Sequence, residues 1–307
     1  MDKETEIDCE TLKKALKTKG DTLINFILTK TNKERQIIRE AYKACWGTDL
    51  LADIDKNLSH NFKRTVRGLF QRPAEFDAEN LYYGMKGLGT DEDTLIEIIC
   101  TRSNERLKEI KEEFDKISPK CSLEKWIEKE TSGSFRKLLI SLIQCKRSEN
   151  SIPDESHCEQ LAQDLYQAGE NKIGTNEDIF NKIFAISSPP EIYSINEHYS
   201  RISKYTLKRA IEKEYSRDTK EALITILDGI LNITEYYARR INKSVKGLGT
   251  SDKKLIRALI SREEIDIPDI RECYKNIFGK DMVDDIKGDT SGDYGKILVG
   301  IAKSEFR

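Results

Sequence analysis

The 307-residue chain is short of proline, histidine and net charge, and each shortage excludes something. Six prolines leave few helix breakers, and 35% charged beside 37% hydrophobic residues is the profile of a heavily solvated helical protein, not a disordered one. The formal charge of −2 gives no overall field to draw the chain onto nucleic acid or an anionic membrane. Nucleic acid is therefore not expected as a partner, and an anionic surface has to be met through a local patch or a bound cation. The three histidines, His60, His157 and His198, lie among polar residues with no acid or nucleophile close in sequence, so they read as surface residues and no enzyme is expected. Trp46 and Trp126 are expected to pack between helices. No run approaches roughly 18 apolar residues, and the opening MDKETEIDCE has no apolar centre. Neither a membrane-spanning helix nor a secretory leader is expected.

Cysteine pairing is also missing. The seven cysteines are an odd number, and the nearest two, Cys145 and Cys158, are thirteen apart, so there is no Cys-x-x-Cys for zinc or redox work. Cys100 follows Ile98 and Ile99 on an apolar helix face, where a buried free thiol is the plain reading. That usage implies a reducing, intracellular setting.

What the chain has in plenty is repetition. GLGTDEDTL (87–95) returns as GLGTSDKKL (247–255), more loosely as NKIGTNEDIF (171–180), and faintly as ALKTKGDTL (15–23). The shared threonines, at 18, 90, 175 and 250, recur at intervals of 72, 85 and 75. The long interval contains CKRSENSIPDESHC (145–158), a polar stretch that reads as a linker. Within a unit the periodicity is helical. Thr90 reads as an N-cap ahead of Leu95, Ile96, Ile98 and Ile99; Ser103–Asn104 reads as the cap of a second helix with Leu107, Ile110 and Phe114 on one face. Arg102 and Arg262 close helices where a cation meets free carbonyls, and Pro189–Pro190 suits the start of the next helix. The expected fold is all-α, four homologous repeats of about five helices each. The organisation that follows is a head at 1–8, repeats at 9–76 and 77–147, a linker at 148–158, and repeats at 159–232 and 233–307.

A second pattern accompanies the glycine loop. EKETSGSF places Glu130 three residues before Gly133, and KGDTSGDY places Asp289 three before Gly292. EKEYSRDT puts Glu214 in the same slot, with Arg217 where the glycine was. Each acid follows its threonine by 39 or 40 residues. A hard cation explains the pairing. Ca2+ takes six to eight oxygens at roughly 2.3–2.6 Å, and glycines at positive φ let successive carbonyls face one point. Three carbonyls and a bidentate carboxylate supply about five oxygens and leave a position open to a lipid phosphate. Leu88 and Leu248 at the loop tips would then dip into the interface, with Ile173 their counterpart, and Lys86 and Lys246 would face headgroups. Two rival readings fail on the residues. A phosphate-cradling glycine loop needs a preceding strand, and the calcium-loop-like DIDKNLSHNFKR has Leu58 and Arg64 where glycine and glutamate are required.

Four repeats with [M/V]KGLGT-type loops and a downstream [D/E]TSG resemble the annexin family over about residues 8–303. The resemblance implies a slightly curved α-helical disc with calcium loops on one face. Carried over position by position, it implies calcium ligation by Met85, Gly87, Gly89 and Glu130 in repeat two, and by Val245, Gly247, Gly249 and Asp289 in repeat four. In repeat three, the variant GENKIGT implies Gly169, Lys172, Gly174 and Glu214, with Arg217 counting against metal. Repeat one has Ala15 and Lys17 for the glycines, Asn57 for the acid and His60 for the later glycine, and is expected to be dead. The function implied is calcium-dependent, peripheral binding to anionic phospholipid membranes, cytoplasmic and at their inner face when calcium rises, with self-association there compatible. The alternative is an annexin-like scaffold bound to a cytoskeletal protein with weak calcium dependence. A head of about eight residues makes head-mediated regulation unexpected.

Overall fold

The computed structural model describes residues 2–171, 174–247 and 249–305. Among these there are twenty α-helices and no strand, five helices to each repeat. Repeat one contains α1 (Lys3–Thr18), α2 (Gly20–Leu28), α3 (Asn32–Trp46), α4 (Leu50–Asn57) and α5 (His60–Leu69). Repeat two contains α6 (Pro73–Met85), α7 (Glu92–Thr101), α8 (Asn104–Ile117), α9 (Leu123–Glu130) and α10 (Gly133–Ile143). Repeat three contains α11 (Glu155–Ala168), α12 (Glu177–Ile186), α13 (Pro189–Ile202), α14 (Leu207–Glu214) and α15 (Arg217–Leu231). Repeat four contains α16 (Ile233–Val245), α17 (Asp252–Arg262), α18 (Ile267–Phe278), α19 (Met282–Asp289) and α20 (Gly292–Ala302).

The helices group into two units, Met1–Pro73 with Thr234–Arg307, and Ala74–Ile233. Repeat one is thus joined to repeat four, and repeat two to repeat three. In the second unit α7 packs on α15 and α10 on α12, around a core that includes Leu95, Ile98, Phe114, Leu138, Phe180, Phe184 and Leu223. In the first unit α5 packs on α17 and α2 on α20, burying Ile24, Phe70, Leu255 and Leu298. There the fully buried Arg35 donates to Glu263 at 2.7 Å, and burial raises the Glu263 carboxyl above its ordinary range.

Local chemistry sets the boundaries. Ser103 Oγ caps α8 by accepting from Arg106 N at 3.2 Å, and Ser188 forms a reciprocal capping box with Glu191 ahead of Pro189–Pro190. Some expectations need correction. Arg102 and Arg262 each meet a carboxylate that the local reading did not supply; Arg102 forms a two-pronged pair with Asp77 at 2.8 and 2.9 Å, and Arg262 pairs with Asp266. Trp46 is 42% exposed, under the Lys13 ammonium, whereas Trp126 is half-buried against Tyr82. His198 is mostly covered and meets Glu155 at 2.9 Å, an acid 43 residues away that no local reading could supply.

Candidate calcium loops

α6 ends at Met85, and Lys86 N closes its last turn on Tyr82 O at 2.9 Å. The chain then passes through Gly87 at φ 134° and Gly89 at φ 87° before Asp91 N returns to Gly84 O at 2.8 Å. A Cβ at either glycine would meet nothing within 4 Å, so backbone conformation and not space requires glycine there. Repeat four reproduces the loop, with Gly247 at φ 122°, Gly249 at φ 86° and Ser251 N on Ser244 O at 2.9 Å. Repeat three closes through Asn176 N on Ala168 O at 2.8 Å, a span one residue longer, with Gly174 at φ 81°. Gly169 there sits at φ −116° and is buried beside Glu214.

The acids arrive from α9, α14 and α19. Thr90 Oγ1 donates to Glu130, 3.2 Å from its carbonyl oxygen and 3.4 Å from Oε2. Thr250 Oγ1 lies 2.9 Å from Asp289 O and 2.5 Å from Oδ2, and Thr175 Oγ1 bonds Glu214 Oε2. Loop and acid are therefore brought together in repeats two, three and four. These contacts also correct the expectation that Thr90 caps α7. The cap is Asp91, which accepts from Thr94 N, and the threonine hydroxyl is used on the acid instead. Sequence reasoning missed that role, although the constant threonine-to-acid spacing was its signal.

The turn after the acid position has one conformation in all four repeats, including repeat one with its Asn57: His60 at φ 52°, Gly133 at 59°, Arg217 at 52° and Gly292 at 62°. Arg217 thus keeps the glycine's backbone geometry in a left-handed region that disfavours side chains. Repeat one departs elsewhere. α1 continues through Ala15, Leu16, Lys17 and Thr18, and Ala15 O accepts from Lys19 N at 2.7 Å, so the Ala15 carbonyl stays in the helix. Asn57 Nδ2 bonds Asp53 O at 2.8 Å, with no link to Thr18 among the described residues.

The donor set fits a hard cation. Among the described residues no hydrogen bond ends on the carbonyls of Met85, Gly87 or Gly89, and no three His, Cys, Asp or Glu side chains cluster as a metal site. Oxygen ligands have to come from the loop backbone and the single acid. Leu88 is fully exposed at the loop tip, and the Lys86 ammonium lies over the Tyr82 ring at 5.0 Å. Lys172, Ile173 and Leu248 lie outside the described residues.

The fold and the paired loops define a four-repeat helical protein in which a glycine loop meets a distant acid in three of the repeats. The annexin family model matches residues 7–69, 76–142, 160–226 and 236–301, and the chain belongs to the annexin family. It is 40% identical to human annexin A11 over 297 residues, which are 96% of this chain and 59% of that protein's length. The structure of annexin III matches at TM-score 0.94 and 37% identity, covering 98% of this chain and 94% of that one. A calcium-bound annexin (Sm)1 matches at TM-score 0.85 and 30% identity, covering 98% of this chain and 90% of that one. Among the described residues no helix is long and apolar enough to cross a membrane.

Proposed function

We propose that this chain binds anionic phospholipid membranes peripherally and in a calcium-dependent way through repeats two and four. The observation that carries the reading is the junction of loop and acid: Thr90 on Glu130, and Thr250 on Asp289, beside glycines at positive φ. Met85, Gly87 and Gly89 would offer carbonyls with the Glu130 carboxylate; Val245, Gly247 and Gly249 would do so with Asp289. Bound calcium supplies the positive charge that a lipid phosphate needs and that a chain of net charge −2 lacks. Leu88 and Leu248 would add apolar contact at the interface, and Lys86 and Lys246 would meet headgroups. Repeat three, with Gly169, Lys172, Gly174 and Glu214, is a weaker candidate because its loop is one residue longer and Arg217 stands where repeats two and four have glycine. The calcium-bound state of annexin (Sm)1 supports the assignment of the metal. The setting we propose is the cytoplasmic face of membranes when calcium is raised.

The test is Glu130→Gln combined with Asp289→Asn. Pelleting with phosphatidylserine vesicles in calcium should be lost, with helical circular dichroism unchanged. Pelleting that survives at millimolar calcium would refute the sites. Sedimentation with polymerised actin or microtubules in EGTA would instead favour a cytoskeletal scaffold.

A further inference from the structure

Repeat three contains a second cationic feature beside its loop. The segment Ser203–Lys204–Tyr205–Thr206 connects α13 to α14. Lys213 Nζ donates to the Tyr205 hydroxyl at 2.7 Å and sits 4.0 Å from the ring centroid, while Lys204 Nζ lies 5.1 Å from the same centroid. Two ammonium groups are thus gathered on one half-buried phenol. Among the described residues neither lysine has a carboxylate within ion-pair distance, whereas Lys129, Lys137 and Lys208 of the same unit each do. The nearby acid, Glu170, is occupied: its carboxylate accepts from Tyr199 at 2.8 Å and from Ser203 Oγ. That bond from Ser203 fixes the connecting segment against the repeat-three loop. The paired cations hold the Tyr205 phenol below its ordinary range, chiefly through the Lys213 hydrogen bond, as a local positive potential should.

We infer that Lys204, Lys213 and the Tyr205 hydroxyl form a calcium-independent site for a phosphate monoester. A monoester phosphate has about −1.5 to −2 charges at neutral pH and three acceptor oxygens. Lysine binds phosphate as a point charge, and the Tyr205 hydroxyl accepts from Lys213 while its own proton remains free to donate. The shared chemistry is met by a phosphatidate headgroup or by free phosphate. The inference rests on the proposed membrane reading only for the lipid source, because it does not use the calcium loops. It gives repeat three, the weaker calcium candidate, its own means of meeting an anion.

The experiment is done in EGTA, where loops two and four are silent. Wild type and K204Q/K213Q are titrated with phosphatidylcholine vesicles containing phosphatidate, and separately with inorganic phosphate. A K108Q/K120Q variant makes the same change in net charge at two exposed lysines elsewhere in the second unit. Loss of both site lysines is expected to weaken vesicle binding about tenfold or more, with the control near wild type. Y205F is expected to weaken it severalfold. Loss seen only with vesicles identifies the lipid, and loss seen with inorganic phosphate identifies the soluble anion; both support the site. Equal losses in K204Q/K213Q and the control, or none in either arm, overturn it. Calcium-dependent phosphatidylserine pelleting by K204Q/K213Q is expected to persist, so failure here is separable from failure of the calcium loops.

Discussion

Thr250→Val is the sharpest probe of how loop and acid are joined. The swap keeps the side-chain shape and removes one hydroxyl, which bonds Asp289 O at 2.9 Å and Oδ2 at 2.5 Å. A hydrogen bond to a charged group is worth about 1.5–3 kcal/mol. Both residues are only half-buried, so the low end applies, about 1.5 kcal/mol. If the hydroxyl positions the acid for calcium, that loss appears as roughly a tenfold weaker calcium affinity at repeat four. Calorimetric calcium titration in a Glu130→Gln background isolates that repeat, and a cycle with Asp289→Asn separates coupling from the acid's own contribution. The cycle should show strong non-additivity, because the hydroxyl has no acid to place once Asp289 is neutral. Calcium binding unchanged or tightened by Thr250→Val would mean that the hydroxyl competes with the metal, and the positioning argument would fall.

Two further outcomes follow from repeat one. Asn57→Asp restores an acid but not a loop, since α1 runs through Ala15–Thr18, so calcium stoichiometry should not rise; one added equivalent in the same titration would contradict this. Asp53 accepts from Lys13 Nζ at 2.6 Å and from the buried Tyr42 hydroxyl at 2.7 Å, and the Lys13 hydrogen bond first of all holds its carboxyl below the ordinary range. A carboxyl lowered on folding stabilises the fold fully above its unfolded value and loses that contribution as pH falls through the folded value. Asp53→Asn should therefore cost about 1 kcal/mol near neutral pH, lowering Tm by roughly 2–4 °C, with the gap from wild type closing in strong acid. A gap independent of pH would show that packing and not charge is at stake.

The repeat architecture was legible because it is written in periodicity. Leu107, Ile110 and Phe114 share a helix face whatever surrounds them, and all three are buried in the core. The spacing of threonine and acid, shared by three repeats, located the loop's partner before any contact was visible, and the Thr90 and Thr250 hydrogen bonds follow that spacing. What the residues could not show depends on partners distant in the chain. Arg102 is a helix-end cation by local rules, yet it is held by a carboxylate brought from α6, which has a full charge in two-pronged geometry. His198 and Glu155 are strangers in sequence and neighbours across α11 and α13.

Arg217 is the instructive case. In sequence it looked like the loss of a flexible residue, but the backbone adopts the same left-handed turn as Gly133 and Gly292 and tolerates the side chain. Such a conformation costs a non-glycine residue on the order of 1–2 kcal/mol. His60 accepts the same cost in repeat one, where α1 runs through the positions that form the glycine loop elsewhere. The turn therefore requires neither a glycine nor an acid before it. The four repeats share that turn, and on the proposed reading metal binding is decided separately, by whether the preceding helix stops in time to release its carbonyls.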